Sequence, residues 1–561
     1  MVRHTEVDGV PALVAPTVGP GRAGLVFRVG QADETLARRG ITHLTEHLVL
    51  HPIGGSTYHH NGSTGQTTTT FYVQGGDGDI VDFFARVCRS LAEPGIGRLA
   101  MERDVLRTEE TGRGSGPARD LPLWRHGARG YGQLSYPEWG LNALTADDVL
   151  AWVATHFTRE NAALWIAGDG VPDGLRLDLP PGRRQPLPAV TSALPATPAF
   201  FNGGGPATAV HAVVPESPAG IVYAHLLQRR MHRALRLDTG LSYTTAVEYV
   251  ERGDGQATIT AYADALVDKQ DAVLGGFVDV LAGLRAAPVA GTELTAAVAT
   301  AAQEAGGTDA TAQGLPGQAF RLLTGRPLVD VDAQVAALRA VTTEDVRTAA
   351  KQAHASALLM TPRGGAEWAG YAPAPTTSRT TAGGRGHVPA GGGGPVIHLG
   401  ADAISAVDPD GDAATVRYDE CAVVLAHPDG SRLLIGHDGI VVAVDLDRYA
   451  DLDATLIDRR VPAGLLVSLP GVAPSPAPGV RARSVGRLAS FLRLLTPAWL
   501  RLGALGLVTA VVGGAVLAYT LAMVFGLLDE VRLLSVIGGW LIAGWFGRAF
   551  LRAWTARRAR A

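Results

Sequence analysis

One stretch of this sequence has to be helical if its polar side chains are to act together: Gly40-Ile41-Thr42-His43-Leu44-Thr45-Glu46-His47. It contains the pattern H-x-x-E-H, in which the two histidines are separated by four positions. On a helix, residues at this spacing lie one above the other on the same face. His43 and His47 are therefore suited to hold one metal ion, with Glu46 close to the same face. Zinc fits two imidazoles, one oxygen ligand and an open position.

The pattern alone leaves two interpretations open, because two histidines and a glutamate also occur on ordinary solvated helices. A zinc site needs a third protein ligand. A second predicted helix, Gly97 to Glu110, carries Glu102 and Glu109 two turns apart on one face. An acidic pair at this spacing is also typical of a solvated helix. The local pattern therefore does not decide between a metal site and a polar surface.

Composition argues against some classes of protein. The 561 residues include 49 Lys and Arg against 53 Asp and Glu, a net charge of −4. This balance argues against a nucleic-acid-binding protein. The two cysteines, Cys88 and Cys421, are far apart, so they predict no disulfide framework and fit a reducing compartment. The N-terminus lacks an apolar run, so no secretory signal is expected.

The C-terminal end has a different composition. Leu502 to Leu528 contains no charge, and a second apolar run, Leu533 to Gly547, extends to Leu551 if Arg548 snorkels. We predict a transmembrane helical hairpin over residues 501–551; a single span with an interfacial helix is the alternative. Arginines crowd both outer flanks, so the positive-inside rule places them in the cytoplasm. A multi-pass cell-membrane protein is expected, with its large N-terminal part facing the cytoplasm.

The order of predicted elements divides the rest of the chain. Residues 1–180 alternate strands and helices, with strands at Val10–Val14, Ala23–Val29, Thr67–Gln74 and Asn161–Gly168 and a polar loop at Ser56–Gly65. Residues 199–365 show a similar order of strand, helix, strand and helix, which indicates a diverged internal duplication. We therefore predict an α+β fold built from two α/β halves.

The segments around and after the two halves differ in composition. A Pro-rich stretch predicts an extended linker, and a Gly/Thr/Pro-rich stretch predicts a flexible, disordered linker. Short apolar runs separated by turn residues then predict a small β-rich domain, which we interpret as pleckstrin-homology-like from pattern and position. The ranges are 181–198 and 366–395 for the linkers, 396–470 for the β-rich domain, 471–500 for a basic juxtamembrane segment and 552–561 for an Arg-rich tail.

Several separated motifs together resemble the pitrilysin/insulinase (M16) metallopeptidases, whose zinc motif is also H-x-x-E-H. The matching segments, in chain order, are Gly30-Gln31-Ala32-Asp33-Glu34, the stretch from Gly40 to His47, Asn61 with Thr67, Glu102 with Glu109, and Arg236 followed by Gly240-Leu241-Ser242-Tyr243. The resemblance covers about residues 1–360. The interval from His47 to Glu109 is shorter than is usual in the family, which leaves Glu110 as a competing carboxylate.

The resemblance implies a role for each matching residue. His43, His47 and Glu109 would ligate Zn²⁺, Glu46 would be the general base, and Glu102 would support catalysis by orienting a ligand. For substrate binding, the resemblance implies Arg236, Tyr243 and Asn61. The predicted strand Thr67–Gln74 would accept the peptide as an added strand.

The function expected from these features is that of a membrane-anchored zinc metalloendopeptidase. Its expected partners are a peptide substrate, the membrane and either a second copy of this chain or an M16-like partner subunit. The alternative from another class is a non-catalytic membrane-anchored scaffold or a partner subunit of a peptidase complex.

Overall fold

The computed structural model describes residues 2–112 and 116–471. Beyond residue 471, the predicted juxtamembrane segment (471–500), the transmembrane hairpin (501–551) and the Arg-rich tail (552–561) lie outside the described residues. Within the described ranges, no single helix has both the length and the apolar character to cross a bilayer. Two consecutive helices, Val267–Ala286 and Gly291–Gly306, meet these criteria only when taken together, and they are bent by 100°.

A six-stranded sheet organises the first half of the described chain. Its strands are β1 Arg3–Val7, β2 Val10–Ala15, β3 Gly21–Phe27, β4 His59–Thr64, β5 Thr69–Gly75 and β6 Ala162–Ala167, in the order β1-β2-β6-β3-β5-β4. The helices of this half are α1 Ile41–Leu50, α2 Asp77–Ala92, α3 Leu99–Gly112, α4 Pro117–His126 and α5 Ala146–His156. Phe27 and Phe71 of the sheet form a core with Leu44 of α1 and Phe84 of α2. This core fixes α1, the helix that carries the histidine motif.

The second half has its own six-stranded sheet. Its strands are β7 Ala199–Asn202, β8 Ala207–Pro215, β9 Thr245–Glu251, β10 Gln256–Asp264, β11 Leu358–Thr361 and β12 Ala372–Pro373, in the order β12-β7-β11-β8-β10-β9. The helices are α6 Pro218–Met231, α7 Gln270–Ala286, α8 Gly291–Gly306, α9 Ala310–Gln313, α10 Leu315–Leu323, α11 Val331–Arg339 and α12 Thr343–Ala355. The other face of the first sheet packs on α10, where Val26 and Trp165 join Leu315 and Ala319.

The two sheets share one topology over five strands. β2 is parallel to β6 and β7 is parallel to β11. From there the order continues through antiparallel neighbours, β6-β3-β5-β4 in the first sheet and β11-β8-β10-β9 in the second. The similar order of elements in the sequence therefore corresponds to the same strand order in space.

The small β-rich region consists of two four-stranded sheets that enclose a common core. The first contains β13 Arg385–His387, β14 Val396–Leu399, β15 Ala403–Val407 and β16 Ala413–Arg417; the second contains β17 Cys421–Ala426, β18 Arg432–Gly436, β19 Val441–Val444 and β20 Leu466–Ser468. A short helix, α13 Ala454–Asp458, contributes Ile457 to a core with Ile397, Val424 and Leu434. The pleckstrin-homology-like interpretation stays a prediction.

Two predictions about irregular segments are wrong. Ser56–Gly65 is not a loop, because it contains β4, which pairs along its length with β5. The segment 366–395 is not a disordered linker, because it contains β12 and β13 and its backbone is hydrogen-bonded to the small β domain; Ser378 N donates to Ala413 O at 2.7 Å. Both stretches lack an apolar pattern. Their structure comes from backbone pairing with neighbouring sheets, which composition does not reveal.

Arg125 and His126, at the end of α4, connect the first half to the second half and to the segment between them. The Arg125 guanidinium donates to the carbonyls of His211 (2.6 Å) and Ser356 (2.8 Å), and His126 Nδ1 lies 2.6 Å from Thr191 O. Both side chains are buried. Burial lowers the pKa of His126 to about 4; the contact with Thr191 opposes this shift and the charge of Arg125 adds to it. His126 is therefore neutral at this junction at neutral pH.

The stability of the described unit is expected to fall between about pH 6.5 and pH 4. The pKa of His126 is lower in the folded than in the unfolded state. On acidification the unfolded state therefore binds a proton first, and this binding stabilises it relative to the folded state. The contribution of neutral His126 to the free energy of unfolding is complete above the pKa that this residue has in the unfolded state. About 3 kcal/mol of that free energy is lost by pH 4, at ~1.4 kcal/mol per pKa unit. Thermal unfolding of the wild type and His126→Gln at pH 7.5 and 4.5 tests this. The wild type should lose more; equal losses would contradict the assignment to His126.

Candidate metal centre

The start of α1 is held by a buried ion pair. Gly40 precedes the helix with a φ of +101°, a conformation that favours glycine. The Glu34 carboxylate accepts hydrogen bonds from the backbone N–H of Gly40 (3.0 Å) and of Thr42 (2.9 Å). Arg39, also buried, donates to Glu34 at 2.9 Å. A carboxylate at this end satisfies otherwise unpaired N–H groups and complements the helix dipole. These contacts fix the position at which α1 begins.

Three side chains converge between α1 and α3. His43, His47 and Glu109 each place one ligand atom so that all three atoms lie within 4.8 Å of one another. The Nε2 atoms of His43 and His47 are each 3.8 Å from an oxygen of Glu109, and the two imidazole rings are perpendicular. Two imidazole nitrogens and one carboxylate form the donor set of a catalytic zinc site that leaves a position open. The residues present therefore fit Zn²⁺.

A carboxylate lies behind each imidazole. Glu138 Oε1 is 3.1 Å from His43 Nδ1, and Glu102 Oε2 is 3.4 Å from His47 Nδ1. With its proton on Nδ1, each imidazole donates to its carboxylate and presents the Nε2 lone pair toward Glu109. Carboxylates in this position orient histidine ligands and raise their basicity. Glu102 thus contacts the imidazole of His47, the side chain that the resemblance implies it would orient.

Glu138 is a residue that the sequence analysis did not single out. Its side chain is almost completely buried, and it is separated from His43 by 95 positions in the chain. It comes just before the short 3-10 helix Trp139–Asn142, in a stretch without helical or strand periodicity. No signal in the sequence would have found it. His51 Nδ1 lies 3.7 Å from Glu102 Oε1, and Glu102 also pairs with Arg98.

Glu46 is buried beneath β4. Its Oε2 accepts a hydrogen bond from Thr64 Oγ1 at 2.6 Å. A methyl group at Gly62 would come within 2.6 Å of Glu46 Oε1, so the glycine permits close approach of the strand to the carboxylate. The predicted general base is therefore anchored by one oxygen and covered by a strand at the edge of its sheet.

The structure distinguishes the two carboxylates proposed as the third ligand. Glu109 belongs to the group with His43 and His47, whereas Glu110 forms an ion pair with Arg119 at 3.0 Å. The two residues are adjacent on α3, so their side chains point in different directions around the helix. This geometry favours Glu109.

Arg236 and Tyr243, predicted to bind substrate, lie together in the second half. Arg236 is on a π-helical turn, His232–Leu237, that continues α6, and its guanidinium carbon is 4.9 Å from the centre of the Tyr243 ring. The Tyr243 side chain is 76% exposed. Asn61 is exposed on β4, where its Oδ1 accepts from Gly62 N at 2.9 Å. The pair and Asn61 are thus accessible, and they lie in different halves of the described chain.

Solved structures share this architecture. A protease from Helicobacter pylori aligns with 64% of this chain and 99% of its own, at a TM-score of 0.55 and 13% identity. A chain of complex III2 from Candida albicans aligns with 64% of this chain and 95% of its own (TM-score 0.53, 13% identity). The peptidase M16 inactive domain from Pseudomonas fluorescens aligns with 64% of this chain and 97% of its own (TM-score 0.51, 14% identity). The chain has the M16 fold.

The M16 fold confirms the resemblance found in the sequence motifs, but it does not by itself decide activity. No family model and no curated protein matches the sequence. The solved structures with this fold include a protease, an inactive peptidase domain and a chain of complex III2. The activity of this M16-fold chain therefore depends on the residues at its own site.

Proposed function

We propose that this chain is a zinc-dependent metalloendopeptidase in which His43, His47 and Glu109 hold the metal. The observation that carries this proposal is the convergence of three ligand atoms within 4.8 Å. A carboxylate behind each imidazole supports it, because such pairs are found at metal-ligating histidines. The fold, shared with a protease, is compatible with the same activity.

Glu46 is proposed as the general base. When bound, zinc supplies Lewis acidity for peptide hydrolysis. Glu46 Oε2 stays anchored to Thr64 Oγ1, so Oε1 is the oxygen that accepts a proton from the attacking water and later returns it to the leaving amine. Burial of Glu46 at 6% exposure keeps bulk water from this carboxylate. Glu138 and Glu102 hold the two imidazoles in place while the proton moves.

The substrate is proposed to add as a strand to β4, not to the strand predicted from the sequence. That predicted strand, Thr67–Gln74, corresponds to β5, which is paired on one side with β3 and on the other with β4. β4 ends the order of this sheet, so its outer backbone groups are the ones that can pair with a peptide. Asn61 and Gly62 lie on this edge strand, and Gly62 packs against Glu46.

Arg236 and Tyr243 are proposed to hold the substrate backbone, supplied either from the same chain or from a second copy or an M16-like partner. Membrane anchoring through residues 501–551, with the metal centre in the cytoplasm, remains a prediction from composition. A non-catalytic scaffold is the alternative; the intact set of His43, His47, Glu46 and Glu109 argues against it.

Removal of zinc is expected to abolish peptide cleavage. The wild-type chain, purified at neutral pH, should contain one zinc ion and cleave a quenched fluorescent peptide. A chelator should reduce cleavage to background, and stoichiometric zinc should restore it, because the metal is required for the chemistry. Metal analysis and initial rates measure both effects. A chain that binds no zinc at neutral pH would instead support the scaffold.

A further inference from the structure

The small β domain, residues 396–470, packs against the segments that frame the metal centre. β17 and the short 3-10 helix Ala463–Leu465 contact the 3-10 helix Leu36–Arg38, which leads into α1. β20 contacts the 3-10 helix Trp139–Asn142, which directly follows Glu138. The domain therefore covers both the approach to α1 and the segment that carries the buried carboxylate behind His43.

A third contact comes from the turn between β18 and β19, residues 437–440. Ala128 N donates to His437 O at 3.0 Å. At Gly127, whose φ is +74°, a Cβ atom would overlap the same carbonyl oxygen. At Gly439 a Cβ would lie 3.3 Å from the Leu123 side chain and 3.4 Å from Tyr136 Oη. The two backbones thus meet at glycines, and there is no room for a side chain between them.

These contacts converge on Glu138. Tyr136, which lies under the turn, is fully buried, and its ring is 5.9 Å from that of Trp139. Glu138 lies between these two aromatic residues in the chain. A Cβ at Gly40 would be 2.9 Å from Glu138 Cβ, so the carboxylate residue also packs against the start of α1. The β domain thus contacts the segment directly after Glu138, Trp139–Asn142, and the segment just before Gly40, Leu36–Arg38.

We propose that the small β domain is a positioning element of the metal centre. Its docking holds Glu138 in place, and Glu138 sets the orientation of the His43 imidazole. Zinc affinity therefore depends on docking of a domain that contributes no metal ligand. By thermodynamic linkage, zinc stabilises the docked domain by the same factor. This inference rests on the proposed zinc site, and it concerns metal affinity, not catalysis.

A pair of matched substitutions tests the dependence. Gly127→Ala places a methyl group against His437 O, whereas Gly174→Ala introduces a methyl group with no atom within 4 Å. The two glycines have similar φ angles, +74° and +80°, so both variants place alanine at a positive φ. Zinc affinity, measured by competition with a chromophoric chelator, should fall about 10-fold or more in Gly127→Ala, as for loss of a group that supports a ligand. Gly174→Ala should bind like the wild type.

Hydrogen exchange of the full-length wild type, with and without zinc, provides a test that needs no variant. Zinc should slow exchange of the Ala128 amide and of the amides in residues 437–440, in addition to those of α1. Protection confined to α1 and α3, or equal zinc affinities of Gly127→Ala and Gly174→Ala, would overturn the coupling and leave the zinc site intact. A wild type that binds no zinc would overturn the zinc site and the coupling with it.

Discussion

Replacement of Glu46 by glutamine is expected to reduce kcat/KM for peptide cleavage by about 10²- to 10⁴-fold, the usual contribution of a positioned general base. Glutamine keeps the shape of glutamate and can still accept from Thr64 Oγ1, which lies 2.6 Å from the native carboxylate. It has no basic oxygen to take a proton from water. Zinc content should stay at the wild-type level, because Glu46 is not among the three convergent ligand atoms.

The measurement combines initial rates on a quenched fluorescent peptide with metal analysis of the same preparations. Glu110→Gln serves as a matched control, since it removes the same charge from a residue that pairs with Arg119 and not with the metal group. The control should cleave at close to the wild-type rate. Cleavage by Glu46→Gln at the wild-type rate would refute the assignment of Glu46, and with it the proposed mechanism.

Replacement of Glu109 by glutamine is expected to weaken zinc binding by more than 100-fold, beyond the 10- to 100-fold typical for loss of a group that only supports a ligand. One Glu109 oxygen lies 3.8 Å from His43 Nε2, and the other lies 3.8 Å from His47 Nε2. An amide supplies neither the charge nor the affinity of a carboxylate at a dication. The remaining two imidazoles leave the site one protein ligand short.

Glu110→Gln again provides the comparison, now for metal affinity. The two glutamates are consecutive on α3, so the two variants make the same change of residue and of charge at neighbouring positions of one helix. Chelator competition at neutral pH should show a large loss for Glu109→Gln and wild-type affinity for Glu110→Gln. The opposite pattern would identify Glu110 as the third ligand and would require a rotation of α3 relative to α1.

Features that depend on local spacing were predictable from the sequence. His43 and His47 on one face of α1, and Glu102 and Glu109 on one face of α3, follow from the helical period alone. Four of the six strands of the first sheet, β2, β3, β5 and β6, were also predicted within a few residues, because they are short apolar or aromatic runs bounded by turn residues. The order of these elements indicated the duplication that the strand orders of the two sheets now display.

Features that depend on contacts between distant segments were not predictable. The segments containing β4 and 366–395 have no apolar pattern, and they form strands because neighbouring sheets pair with their backbone. The strand predicted to accept a peptide, Thr67–Gln74, is paired on both sides, which the sequence did not reveal for the same reason. A sequence shows which segments can be strands, but only the sheet order shows which strand keeps an unpaired edge.

The motif, the metal it suits and the family resemblance were thus determined by the sequence itself, since each rests on the chemistry and spacing of residues close together in the chain. Only the tertiary structure decided that Glu109 and not Glu110 faces the histidines. It also placed Glu138 behind His43 across 95 positions and packed the small β domain against the segments around Glu138. Burial and close packing bring such distant residues into contact, and the periodicity of the sequence does not predict these contacts.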